Sequence, residues 1–63
     1  MEKSFFVLYD IQDNIIMYFD NLQEFLVKYN YPLKEINRKF KKTNSNYINV
    51  DIDNFRYKLF CFN

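Results

Sequence analysis

The clearest pattern of apolar and polar positions lies near the C-terminus. Ile48, Val50 and Ile52 alternate with Asn49 and Asp51, and Phe55, Tyr57 and Leu59 alternate with Arg56 and Lys58. A period of two is that of half-buried strands. With Asp53-Asn54 as a two-residue loop, Ile52 faces Phe55, Val50 faces Tyr57 and Ile48 faces Leu59. The same register sets Asp51 against Arg56 and Asn49 against Lys58 on the other face. A slip of one residue destroys both sets of pairs.

The N-terminal third reads as a second hairpin. Lys3–Asp10 (KSFFVLYD) and Ile15–Phe19 (IIMYF) are β-branched and aromatic, and Ile11-Gln12-Asp13-Asn14 separates them. Asp13-Asn14 supplies the turn, because Asp and Asn tolerate the left-handed backbone in a chain that has no glycine. Both faces of the first strand are apolar, which leaves its register open.

Two short helices are predicted between the hairpins. Asn21 is an N-cap with Glu24 three residues on, and Leu22, Phe25, Leu26 and Tyr29 recur at helical spacing. Asn30 suits the left-handed position that ends a helix, Tyr31 is held extended by the next residue, and Pro32 fits the first turn of a second helix. Leu33, Ile36 and Phe40 mark the buried stripe of that helix. The polar run Thr43-Asn44-Ser45-Asn46 ends it. The expected fold is α+β in the order β-β-α-α-β-β, one domain over residues 1–63, with a helix-turn-helix-like pair packed on one face of an antiparallel sheet.

Composition narrows the function more than the fold. In 63 residues there is no Gly, no His and a single Cys. Glycine-rich phosphate loops and nucleophile elbows are thereby excluded, and the commonest general base and metal ligand is missing. No enzyme and no cofactor is expected. Asp51-x-Asp53 offers two carboxylates, but the turn explains Asp53 and Arg56 explains Asp51, so no metal is expected either. Cys61 falls on the alternation with Tyr57 and Leu59, as a buried inert thiol would. No apolar run approaches the roughly 18 residues of a membrane span. A cytoplasmic protein is expected, and the free thiol agrees with a reducing compartment.

The net charge of +1 conceals a segregation. Up to Pro32 the acids Glu2, Asp10, Asp13, Asp20 and Glu24 outnumber Lys3 and Lys28. From Leu33 to Lys42 the cations Lys34, Arg38, Lys39, Lys41 and Lys42 face only Glu35. With Leu33, Ile36 and Phe40 buried, the five cations are expected together on the outer flank of the second helix. A helix, a tight turn and a basic second helix resemble the geometry that enters a DNA major groove. Lys34, Arg38, Lys41 and Lys42 would neutralise phosphates, and Arg38 and Asn37 would also read base edges.

Three other readings compete with this one. Tyr47 and Phe60, on the face opposite Ile48, Val50 and Ile52, invite base stacking of RNA. The acidic residues Asp10, Asp13 and Asp20, with Tyr18, form a second candidate contact, suited to a basic groove on a nucleic-acid-handling protein. Exposed aromatics on the first hairpin would suit a homodimer seam.

Tyr9-Asp10, Asp13-Asn14-Ile15-Ile16, Tyr18-Phe19-Asp20-Asn21-Leu22-Gln23-Glu24, Pro32-Leu33-Lys34, Arg38-Lys39-Phe40 and Tyr57-Lys58-Leu59 resemble small proteins of phages and integrated elements in AT-rich Firmicutes. The chain is more distantly similar to modular helix-turn-helix DNA-binding units of homing endonucleases. It departs from both in placing Tyr31-Pro32 where a Ser or Thr cap usually opens the second helix. The resemblance implies a phage or mobile-element origin in a host cytoplasm. It also implies one of two roles: a DNA-binding regulator, or an anti-CRISPR-like inhibitor that contacts a host defence nuclease or its ribonucleoprotein.

Overall fold

The computed structural model describes residues 4–63 and has the expected order: β1 (Phe5–Asp10), β2 (Ile15–Phe19), α1 (Leu22–Tyr29), α2 (Leu33–Lys42), β3 (Tyr47–Ile52) and β4 (Phe55–Phe62). Lys3, where the first strand was expected to begin, lies outside the described residues, as do Met1 and Glu2. The strands form one antiparallel sheet in the order β2-β1-β4-β3, which places the first and last strands side by side at its centre.

The second hairpin has the register that alternation requires, from Ile52 opposite Phe55 to Tyr47 opposite Phe60. Asp53 and Asn54 take φ of 51° and 70°, the left-handed pair that matches the twist of a two-residue hairpin. The first hairpin is less regular. Leu8 pairs with Met17 but Tyr9 with Ile15, so Ile16 bulges out of the ladder.

That irregularity begins in the loop, which the Asp10 carboxylate organises more than the Asp13-Asn14 dipeptide does. Asp10 Oδ1 accepts the amides of Gln12 and Asn14 at 2.8 and 2.9 Å, and Oδ2 accepts the Asn14 side-chain amide at 3.2 Å. Only Asp13 has a positive φ in this loop, at 64°. The hydrogen bonds from Asn14 and Gln12 hold the Asp10 carboxyl below its ordinary value of 3.8. A depressed carboxylate gives stability that is complete above its unfolded pKa and lost as pH falls through the lower folded value. In an NMR pH titration the Gln12 and Asn14 amide shifts should therefore move together with a midpoint below 3.8. Asp10→Asn should abolish that step, and a midpoint at or above the ordinary value would refute this account of the loop.

Both helices cover one face of the sheet. Phe25 of α1 and Ile36 of α2 are fully buried against Phe6, Leu8, Phe19, Ile48, Val50 and Leu59. Asn21 Oδ1 caps α1 by accepting the Glu24 amide at 3.1 Å. Glu24 Oε1 reaches back to the Asp20 amide at 3.0 Å, one residue earlier than a standard capping box. Asn30 ends α1 in the left-handed region, with φ 51° and ψ 45°.

One position on α2 corrects the expected buried stripe. Leu33 is 48% exposed, and half-buried Tyr31 packs on the core beside it with its ring 5.7 Å from that of Phe25. Pro32 is the N-cap of α2 and not a residue of its first turn, so Leu33 opens the helix at a position the sheet does not cover.

Candidate nucleic-acid interface

Helical geometry decides which α2 side chains face outward. Successive residues are about 100° apart, so Ile36 and Phe40 lie within about 40° of each other on the docked face. Lys34, Asn37, Arg38, Lys41 and Lys42 then occupy an arc of about 140° on the opposite side. All five are exposed. The five polar residues assigned to this interface from sequence are brought together on one face.

Lys39 corrects the expectation of five outward cations. It lies about 60° from Ile36 around the helix, on the flank nearest the sheet. Its Nζ donates to the Asn49 carbonyl at 2.6 Å and to the Tyr31 hydroxyl at 3.5 Å. Pairs in this hairpin alternate outward from the turn, so the Asn49 carbonyl points away from β4. Lys39 thus closes a free acceptor on the edge of the sheet and is unavailable to a ligand.

Arg38 is partly committed as well. Its Nη2 and Nε donate to the two Glu35 oxygens at 2.8 and 3.4 Å. The pair is about half exposed, so it attenuates the field of the arc without removing Arg38 from the surface. Hydrogen bonding to Arg38 holds the Glu35 carboxyl below its ordinary value of 4.5.

The structure also adds a cation to this region. Arg38, Lys39 and Lys42 line an open groove of about 430 Å³ between α2 and β3. Arg56 closes the groove from β4. No periodicity in the sequence connects Arg56 to α2. Only the pairing of β3 with β4 brings it there.

Two of the acidic candidates are taken up in structural roles. Asp10 holds its own loop, and Asp13 accepts from Lys58 Nζ at 2.9 Å. That hydrogen bond raises the Lys58 pKa and ties the first loop to β4. Asp20 and Tyr18 remain exposed.

The face of the sheet away from the helices is covered by rings. Tyr18 stacks on Phe5 at 5.3 Å, Phe5 on Phe62 at 5.2 Å, Phe62 on Phe60 at 5.8 Å and Phe60 on Tyr47 at 4.8 Å. Tyr9 meets Phe60 edge-on at 4.9 Å. Beneath them Val7 is 3% exposed although no helix lies over it. The ring faces are turned on one another across the strands, so they shield the sheet and present few faces on which a base could stack. The Tyr47 ring already has Phe60 stacked on it and Lys58 Nζ 5.9 Å from its centroid. The RNA reading loses its support.

Cys61 and the remaining carboxylates are the other candidates. Cys61 is half-buried, and desolvation pushes its thiol above the ordinary value of 9.0. Among the described residues no three His, Cys, Asp or Glu side chains come together as a metal site. Among the described residues no helix is long and apolar enough to cross a membrane. No protein-family model, curated protein or solved structure matches the chain.

Proposed function

We propose that this protein binds duplex DNA without catalysing a reaction, through the outer face of α2. The observation that carries the reading is the exposed arc of Lys34, Asn37, Arg38, Lys41 and Lys42, set opposite the docked Ile36 and Phe40. In that arrangement the cations meet phosphates, which supply affinity, and Asn37 and Arg38 offer the donors and acceptor needed at base edges. A host cytoplasm is the compartment this reading requires. The anti-CRISPR-like reading draws on the acidic surface, and Asp10 and Asp13 are already engaged within the fold. Asp20 and Tyr18 are what remains for it.

The Glu35 carboxylate gives this reading a test of sign. It sits within the basic helix and binds Arg38 in two places. Glu35→Gln removes one negative charge from the basic helix and releases the guanidinium, so duplex affinity at low salt should rise severalfold, while the log–log slope, which follows the number of phosphate contacts, should stay close to that of the parent. Fluorescence anisotropy with a labelled duplex at several salt concentrations measures both. A protein whose DNA affinity is unchanged or lower in the Glu35→Gln variant does not use this face of α2.

A further inference from the structure

We infer that the groove between α2 and β3 is a second phosphate-binding seat, one that takes a backbone phosphate of the DNA bound by α2. The inference rests on the DNA reading and adds residues that lie outside the helix.

The lining of the groove is one-sided in charge. Arg38 and Lys42 line it from α2, Arg56 lines it from β4, and Thr43, Ser45 and Tyr47 are among its other lining residues. Among the described residues no carboxylate is part of its lining, and Glu35, which binds Arg38, is not one of the lining residues. Asp51 engages only Arg56 Nε, at 3.2 Å, so both Nη groups of Arg56 are without a protein partner among the described residues. A guanidinium with two unengaged amino groups matches the forked geometry of a phosphate.

The position of the groove fits a backbone more than a free small anion. Arg38 and Lys42 are one helical turn apart, about 6 Å along the axis, so they follow the groove lengthwise. They also lie on the edge of the exposed arc nearest β3. A strand whose phosphates meet Lys34 and Lys41 on the outer face has the groove as its next basic surface toward the sheet. Lys39 acts indirectly, since its bonds to Asn49 and Tyr31 hold the two walls together.

Arg56 separates this seat from the helix face because it lines the groove without belonging to α2, whereas Lys34 lies on the arc and does not line the groove. Arg56→Gln should flatten the log–log salt slope of duplex binding by about 0.9. Arg56→Lys should restore most of it. Lys34→Gln should give a similar loss by itself, and thermal melts of each variant exclude unfolding as the cause. In a parallel NMR titration with inorganic pyrophosphate, the Arg56 Nε–H signal and the Thr43 and Ser45 amides should shift together. If the wild-type protein binds duplex and Arg56→Gln leaves the slope unchanged, the groove is not a seat and the DNA reading survives. If duplex is not bound but pyrophosphate shifts those three signals, the DNA reading fails while the groove stands as a phosphate seat. Pyrophosphate shifts that avoid Arg56, Thr43 and Ser45 overturn the seat in either case.

Discussion

Replacing Lys34, Arg38, Lys41 and Lys42 together by Gln should remove about 3.6 from the log–log salt slope of DNA binding and leave only the share of about 0.9 assigned to Arg56. The four phosphate contacts on the helix give about −3.6 in log–log slope, so they alone should cost the unaltered protein about 150-fold in affinity between 50 and 200 mM salt. The quadruple variant should bind weakly at low salt and change little as salt rises. All four side chains are exposed and opposite the docked face, so the fold should be retained. Circular dichroism confirms that, and a binding isotherm at three or more salt concentrations reads the slope. A variant that keeps a steep slope would move the interface elsewhere. Asn37→Ala is the complementary change: it should leave the slope alone and reduce discrimination between duplex sequences, since amides read bases and carry no charge.

Phe25→Ala should unfold the protein at room temperature. Phe25 is fully buried and meets Phe19 edge-on at 5.6 Å, Tyr29 at 5.3 Å and Tyr31 at 5.7 Å. Truncating a buried Phe costs about 3–5 kcal/mol. A chain of 63 residues has roughly 3–9 kcal/mol in total at the usual stability per residue. The loss is therefore comparable with the whole stability, and one ring decides whether the domain folds. Val27→Ala two residues on, at a position 69% exposed, should stay within about 0.5 kcal/mol of the parent. Urea denaturation followed by far-ultraviolet circular dichroism separates the two, and a cooperative transition for Phe25→Ala with an unshifted midpoint would contradict this account of the core.

What could be read in advance depended on how many independent constraints met at a residue. In the second hairpin, alternation, cross-strand charge and a two-residue turn all demand one register, and the structure has it. The caps of α1 were legible for the same reason, because Asn21, Glu24 and Asn30 have local roles. The first hairpin had no polar face to fix it. Its bulge at Ile16 comes with a loop held by Asp10, whose carboxylate bonds are specific to the folded turn.

The site divides along the same line. A helical period places Lys34, Asn37, Arg38, Lys41 and Lys42 on one arc without knowledge of the sheet. It could not place Lys39, whose fate depends on an unpaired carbonyl of β3, nor Arg56, which reaches α2 only once β3 and β4 are paired. The run of stacked rings was hidden for a topological reason. Phe5 meets Phe62 only because the first strand inserts beside the last, so residues almost a full chain length apart cover Val7 together.

The Lys39 bond to Asn49 has a bearing on growth. A sheet with two open rims can polymerise, each copy templating the next. Here the β3 rim carries an ammonium over one acceptor and the charge of Asp51 beside it, while the β2 rim, Ile15 to Phe19, carries no charge at all. Strand addition between copies is therefore disfavoured at β3 relative to β2. Two molecules joined rim to rim by a two-fold axis would exhaust the β2 side, so association by this route terminates at a pair and does not run on into a fibre.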